Sequence, residues 1–115
     1  MSGLPVEAVA ELESFGLIEG HTVAGVHCYD KEALEVASLA AEFARFGIEA
    51  RHLRIFKHAA ERQSGLYSQV VLPILRRRNP EARRRAVDDL GRLSELGAGL
   101  QACFVREALR DVTGG

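Results

Sequence analysis

The stretch "GHTVAGVHCYD" brings His21, His27 and Cys28 close together in sequence. Imidazole and thiolate are sensible ligands for a borderline cation such as zinc. Only one thiol is present, however, and the spacing matches no metal-binding motif, so these are read as loop residues and no metal or cofactor is assigned. His52 and His58 stand six apart, whereas four would place them on one helical face. No Ser-His-Asp or Cys-His grouping follows from spacing, and no glycine-rich phosphate loop follows a strand. The chain is therefore not read as an enzyme.

Two other constellations could bind something. The run "RRRNPEARRR" holds Arg76, Arg77, Arg78, Arg83, Arg84 and Arg85. Such a cluster suits phosphate contact, yet it interleaves no aromatic ring on which a base could stack. The competing reading is a solvated helix junction, with Arg77 and Arg78 complementing the dipole of the preceding helix. The rings of Phe43, Phe46, Phe56 and Tyr67 are candidates for an effector pocket between helices. The alternative is that these rings, together with Phe104, form the core.

Composition narrows the class. Apolar residues make up 47% of the 115-residue chain, as expected for a folded protein. No apolar run is long enough to span a bilayer, and the N-terminus does not read as a secretory signal, so no membrane partner and a cytoplasmic location are expected. Cys28 and Cys103 are too few for a disulfide framework. The net charge of −1 hides an asymmetry: residues 1–35 hold seven acids and one base, and residues 36–115 hold fourteen bases and nine acids.

The elements that must position these residues are mainly helical. A first helix is expected from Pro5 to Gly16, with Val6, Val9, Leu12 and Phe15 on one face. Thr22, Val23 and Val26, with Gly20 and Gly25, predict a small hairpin. Asp30 should cap a second helix closing at Gly47, its stripe running through Leu34, Ala37, Ala41 and Ala44, widened by Leu39, Phe43 and Phe46. A shorter helix follows Ile48 and should break at Ser64-Gly65, and Pro73 should kink or divide the next. Asn79-Pro80-Glu81 then starts a long last helix, to about residue 112 and roughly 50 Å by helical rise. Its stripe Val87, Leu90, Leu93, Leu96, Leu100 and Phe104 is the candidate dimer interface. Intramolecular packing competes for the same face.

The order "SGLPVEAVAELESFGLI", hairpin, "GVHCYDKEAL", helix, "RFGIEARHLR" resembles the winged-helix region of MerR-type transcription regulators over residues 3–57. "ARFGIEARHLR", "QVVLPILRRRNPEAR" and the Leu-rich last helix resemble, more narrowly, actinobacterial cell-division-gene regulators of that family. The resemblance implies a mainly α fold: a degenerate winged-helix-like half with a hairpin wing over 1–57, then a helical dimerisation and effector region over 58–115, the two forming one compact domain. It further implies that the family's first helix lies before Met1, and that the chain is the cropped remainder of a longer protein.

Departures from the family pattern bear on function. Val9, Ala10 and Glu11 stand where the family presents Arg and aromatic residues, and His27 stands at the wing's usual Arg. Glu7, Glu11, Glu13 and Glu19 would repel phosphates. The expectation is a regulatory domain, homodimeric, responding to a small-molecule or protein effector, with DNA bound by the missing upstream domain. The alternative is a winged helix that contacts DNA directly through the Arg-rich segment.

Overall fold

The computed structural model describes residues 6–114, the side chain of Val6 excepted. The expected first-turn role of Pro5 lies outside the described residues. The chain is mainly α, as the patterning predicts. In order it forms α1 (Val6–Ser14), β1 (Gly20–Val23), β2 (Val26–Tyr29), α2 (Lys31–Ala44), a 3-10 turn (Ala50–Leu53), α3 (Arg54–Leu75) and α4 (Pro80–Thr113). Two compact units are distinguishable, one up to Ala60 and one from Glu61.

In the first unit, α1 and α2 close in the same way. Gly16 and Gly47 take left-handed backbone (φ +74 and +80), and the next amide reaches back five residues, Leu17 to Leu12 at 3.0 Å and Ile48 to Phe43 at 3.2 Å. That geometry satisfies carbonyls that would otherwise be orphaned, and only glycine adopts it without strain. Strands β1 and β2 pair antiparallel, Gly20 opposite Tyr29 and Val23 opposite Val26, around a tight Ala24-Gly25 turn with both φ positive. Asp30 caps α2, its carboxylate accepting from the Ala33 amide at 2.8 Å.

The core of this unit is Leu12, Ile18, Ala33, Ala37, Ala40 and Leu53, with Val9, Leu17, Tyr29, Val36, Phe43, Ile48 and Ala50 packed around it. The inward stripe of α2 is thus rotated from the expected one. Ala37 is shared, but Leu34 is 43% exposed while Ala33 and Ala40 are buried. The small side chains of Ala33, Ala37 and Ala40 pack in one cluster with Leu12, Ile18 and Leu53, while the larger Leu34 and Leu39 stay exposed.

The expected break at Ser64-Gly65 does not occur; α3 runs through it and through Pro73 to Leu75. One interior Gly costs about 1 kcal/mol, less than nucleating a new helix. The Ser64 carbonyl also accepts from the Ser68 hydroxyl at 2.8 Å. Pro73 forfeits one amide only two residues before the helix ends, where a lost bond costs little cooperativity. In the second unit, Val71 and Ile74 of α3 pack on Ala82 and Ala86 of α4, flanked by Leu75 and Leu90. Asn79 caps α4, accepting from the Ala82 amide at 2.7 Å, with Pro80 in the first turn. Among the described residues no helix is long and apolar enough to cross a membrane.

Candidate functional site

The first unit contains an apolar cavity of about 310 Å³. Four residues of α2 (Val36, Leu39, Ala40 and Phe43) form one wall. Leu17, from the loop after α1, and Leu53 close the base, and Phe56 and Lys57, at the start of α3, form the rim. Seven of the eight lining residues are apolar and Lys57 is the only charged one. The Phe43 and Phe56 rings meet with centroids 5.5 Å apart at a 39° tilt. Leu39 and Phe56 are more than half exposed, so the cavity opens to solvent between them. Its volume lies at the lower end of the roughly 300–1,000 Å³ typical of ligand sites.

Of the four aromatic residues proposed for a pocket, the structure brings two together, Phe43 and Phe56. Phe46 is 82% exposed and does not line the cavity. Tyr67 belongs to the second unit, where its hydroxyl lies against Gly97 so closely that a Cβ there would overlap it. Lys57, Leu17, Leu39 and Leu53 were not expected in a pocket, Leu39 having been read only as part of the α2 stripe. Lys57 directly follows Phe56, and that adjacency was the available signal.

A second cluster ties the hairpin to α1. The Tyr29 hydroxyl donates to Glu13 Oε1 at 2.7 Å, and His27 Nε2 lies 3.3 Å from the same oxygen. His27 and Tyr29 are also packed edge to face, with ring centroids 5.0 Å apart. The Tyr29 bond, and secondarily the His27 bond, hold the Glu13 carboxyl below its ordinary range. The Glu13 bond in turn raises the Tyr29 phenol, with burial adding to it. His27 leans over Gly20, where any Cβ would collide with its ring. His21 and Cys28 stand opposite each other in the strand register, both exposed, with His27 committed to Glu13. Among the described residues no group of three His, Cys, Asp or Glu could hold a metal ion.

The remaining residues lie in the second unit. Arg76, Arg77 and Arg78 follow α3, and Arg83, Arg84 and Arg85 occupy the first turns of α4; all six are exposed. Arg85 reaches Asp89 at 3.8 Å, a weak surface pair. Along α4, Leu90 packs on the α3–α4 cluster and Leu93 is half-buried. Val87, Leu96, Leu100 and Phe104 are each more than half exposed, and so are Leu109 and Val112 beyond them.

The sequence matches the family described as "Rv1828-like, C-terminal domain" over residues 1–113. It is 39% identical over 85 residues to proteins named as uncharacterized HTH-type transcriptional regulators, Rv1828 of Mycobacterium tuberculosis and Mb1859 of Mycobacterium bovis. The matched segment covers 73% of this chain and 34% of each relative, so the chain corresponds to about a third of their length.

Proposed function

Because the chain belongs to the Rv1828-like C-terminal domain family, we propose that it is the regulatory and dimerisation part of a MerR-like, cytoplasmic HTH-type transcription regulator. DNA is read by another part of the full-length protein, and the narrower resemblance makes cell-division genes the first targets to test. It performs no catalysis. The observation that carries this reading is the second half of α4. The buried core between α3 and α4 lies at Val71, Ile74, Ala82 and Ala86, near the turn that joins them. Leu96, Leu100 and Phe104 recur at four-residue steps on the rest of α4, Val105, Leu109 and Val112 continue the apolar surface further round the helix, and all are exposed. Contiguous apolar surface of that kind marks an interface in a soluble protein. A second copy offers the same stripe, and pairing two such helices gives the two-fold symmetry that a palindromic operator requires. An effector acts in this scheme by shifting the populations of dimer geometries, and with them the spacing of the two DNA readers.

Sedimentation equilibrium across a concentration series tests the dimer. We expect a reversible dimer for the wild-type chain and a monomer for Leu100→Asp combined with Phe104→Asp. Both positions are exposed, so loss of folding is not expected, and circular dichroism checks it. A wild-type chain that stays monomeric at about 100 μM, where a Kd in the micromolar range would already show, would overturn the reading.

The Arg-rich junction supports a second reading, direct DNA contact, since its six arginines are exposed and only Arg85 has an ion-pair partner among the described residues. Anisotropy titration against labelled duplex at ~50 and ~200 mM salt separates the two, because phosphate contacts show as a steep salt slope. The regulatory reading expects no binding at either salt.

A further inference from the structure

We propose that the cavity between α2, the 3-10 turn and the start of α3 binds an anionic amphiphile. Its carboxylate would sit at Lys57 and its medium-length apolar chain against Leu17, Leu39, Phe43 and Phe56. The assignment rests on the reading that this domain responds to an effector, and it names the effector's chemical class.

Three features carry it. First, the lining offers no polar side chain besides Lys57, so a sugar, nucleotide or peptide ligand would leave its own polar groups unsatisfied there. An unbranched or aryl apolar chain loses nothing by entering. Second, the polarity is concentrated at one point. Lys57 sits at the rim beside Phe56, and among the described residues no carboxylate is paired with it. A lysine stem can lie along an apolar wall and present its ammonium to water at the mouth. That combination suits a ligand with one compact negative charge at one end. A single ammonium balances the one charge of a carboxylate, whereas a phosphate monoester, at about −1.5 to −2, would keep a surplus that no arginine among the lining residues meets. Third, the walls come from three different elements of the first unit, with α2 supplying one side and α3 the other. Filling the cavity therefore stabilises their packing, which is how a ligand that binds only the folded arrangement shifts an equilibrium.

Calorimetric titration of the chain with decanoate and with decan-1-ol, both below their micelle-forming concentrations, tests the assignment, and amide NMR locates the site. The expected result is saturable decanoate binding with shifts at Leu39, Ala40, Phe43 and Phe56. Lys57→Gln should weaken decanoate about ten-fold, the scale of one charge-assisted hydrogen bond, and leave decan-1-ol unchanged. Leu39→Glu should reject decanoate far more than the alcohol. Lys57 and Leu39 are both exposed, so neither change threatens the fold. Equal affinity for acid and alcohol, indifferent to Lys57→Gln, would overturn carboxylate recognition. Absence of saturable binding of decanoate up to about 1 mM, and of decan-1-ol up to its solubility limit, would overturn the site. Neither negative outcome touches the dimer, which sedimentation reads separately. Decanoate binding that leaves self-association unmoved would uphold the ligand class and sink the effector reading.

Discussion

At the residue scale, the Glu13–Tyr29 bond makes the attachment of the hairpin depend on pH from both sides. Glu13 has a lowered pKa when folded, so its contribution is present above the ordinary carboxylate value, about 4.3, and is lost as pH falls through the lowered value. Tyr29 has a raised pKa, so its contribution is present below the ordinary phenol value, about 10, and is lost as pH rises through the raised one. Protection of the amides of residues 20–29, relative to their intrinsic exchange, should therefore be greatest in the window between those limits and fall beyond either. Glu13→Gln should abolish the acid limb of that profile and leave the rest of the first unit unchanged. A hairpin whose exchange ignores pH between 3 and 7, beyond the ordinary dependence of exchange chemistry, would show that the bond does not hold it. This cluster was not legible in the sequence. Glu13 and Tyr29 are sixteen residues apart, and only the strand register reveals that Tyr29 and His27 share the face that meets α1.

At the element scale, α4 carries three glycines that look alike in sequence and differ in place. A Cβ at Gly97 would overlap the Tyr67 hydroxyl, whereas one at Gly91 or Gly99 meets nothing within 4 Å. Gly97→Ala should therefore destabilise by about 1–3 kcal/mol through overpacking, offset by whatever the helix gains in propensity. Tyr67→Phe in the same chain should restore much of the loss by removing the oxygen that collides. Gly91→Ala and Gly99→Ala should stabilise by up to about 1 kcal/mol each. Urea unfolding of the five chains compares them; equal effects at all three glycines would sink the assignment. Helix ends were the most readable feature of the sequence, because Asp30, Asn79, Gly16 and Gly47 act on backbone within a few residues. The interior of α3 was not readable from local signals. Ser64-Gly65 and Pro73 are local breakers, and their effect was outweighed by cooperative propagation through a helix whose buried residues are Val71 and Ile74.

At the scale of the whole molecule, the helical class and hairpin followed from periodicity and turn chemistry, and the kinship with transcription regulators from the order of short fragments. The cavity did not follow in full. Phe43 and Phe56 were in view, but which aromatics converge depends on tertiary placement, and Phe46 and Tyr67 lie elsewhere. The prediction that belongs to this scale concerns the arginines. Replacing Arg83, Arg84 and Arg85 with Ala should leave the proposed self-association unchanged in sedimentation and should not alter the salt dependence of any duplex binding by this chain. A slope reduced by about one unit per arginine would instead make the junction a phosphate contact. The core itself has a different consequence. Among the described residues, five of the ten buried apolar ones are alanines, at 33, 37, 40, 82 and 86. Such an interior has little left to trim and, except at Ala40, which lines the cavity, little room to grow. A saturation library scored for abundance should accordingly show an inverted pattern at positions 33, 37, 82 and 86: tolerance for glycine or serine exceeding tolerance for leucine or phenylalanine, the reverse of the ranking that Leu12 will give.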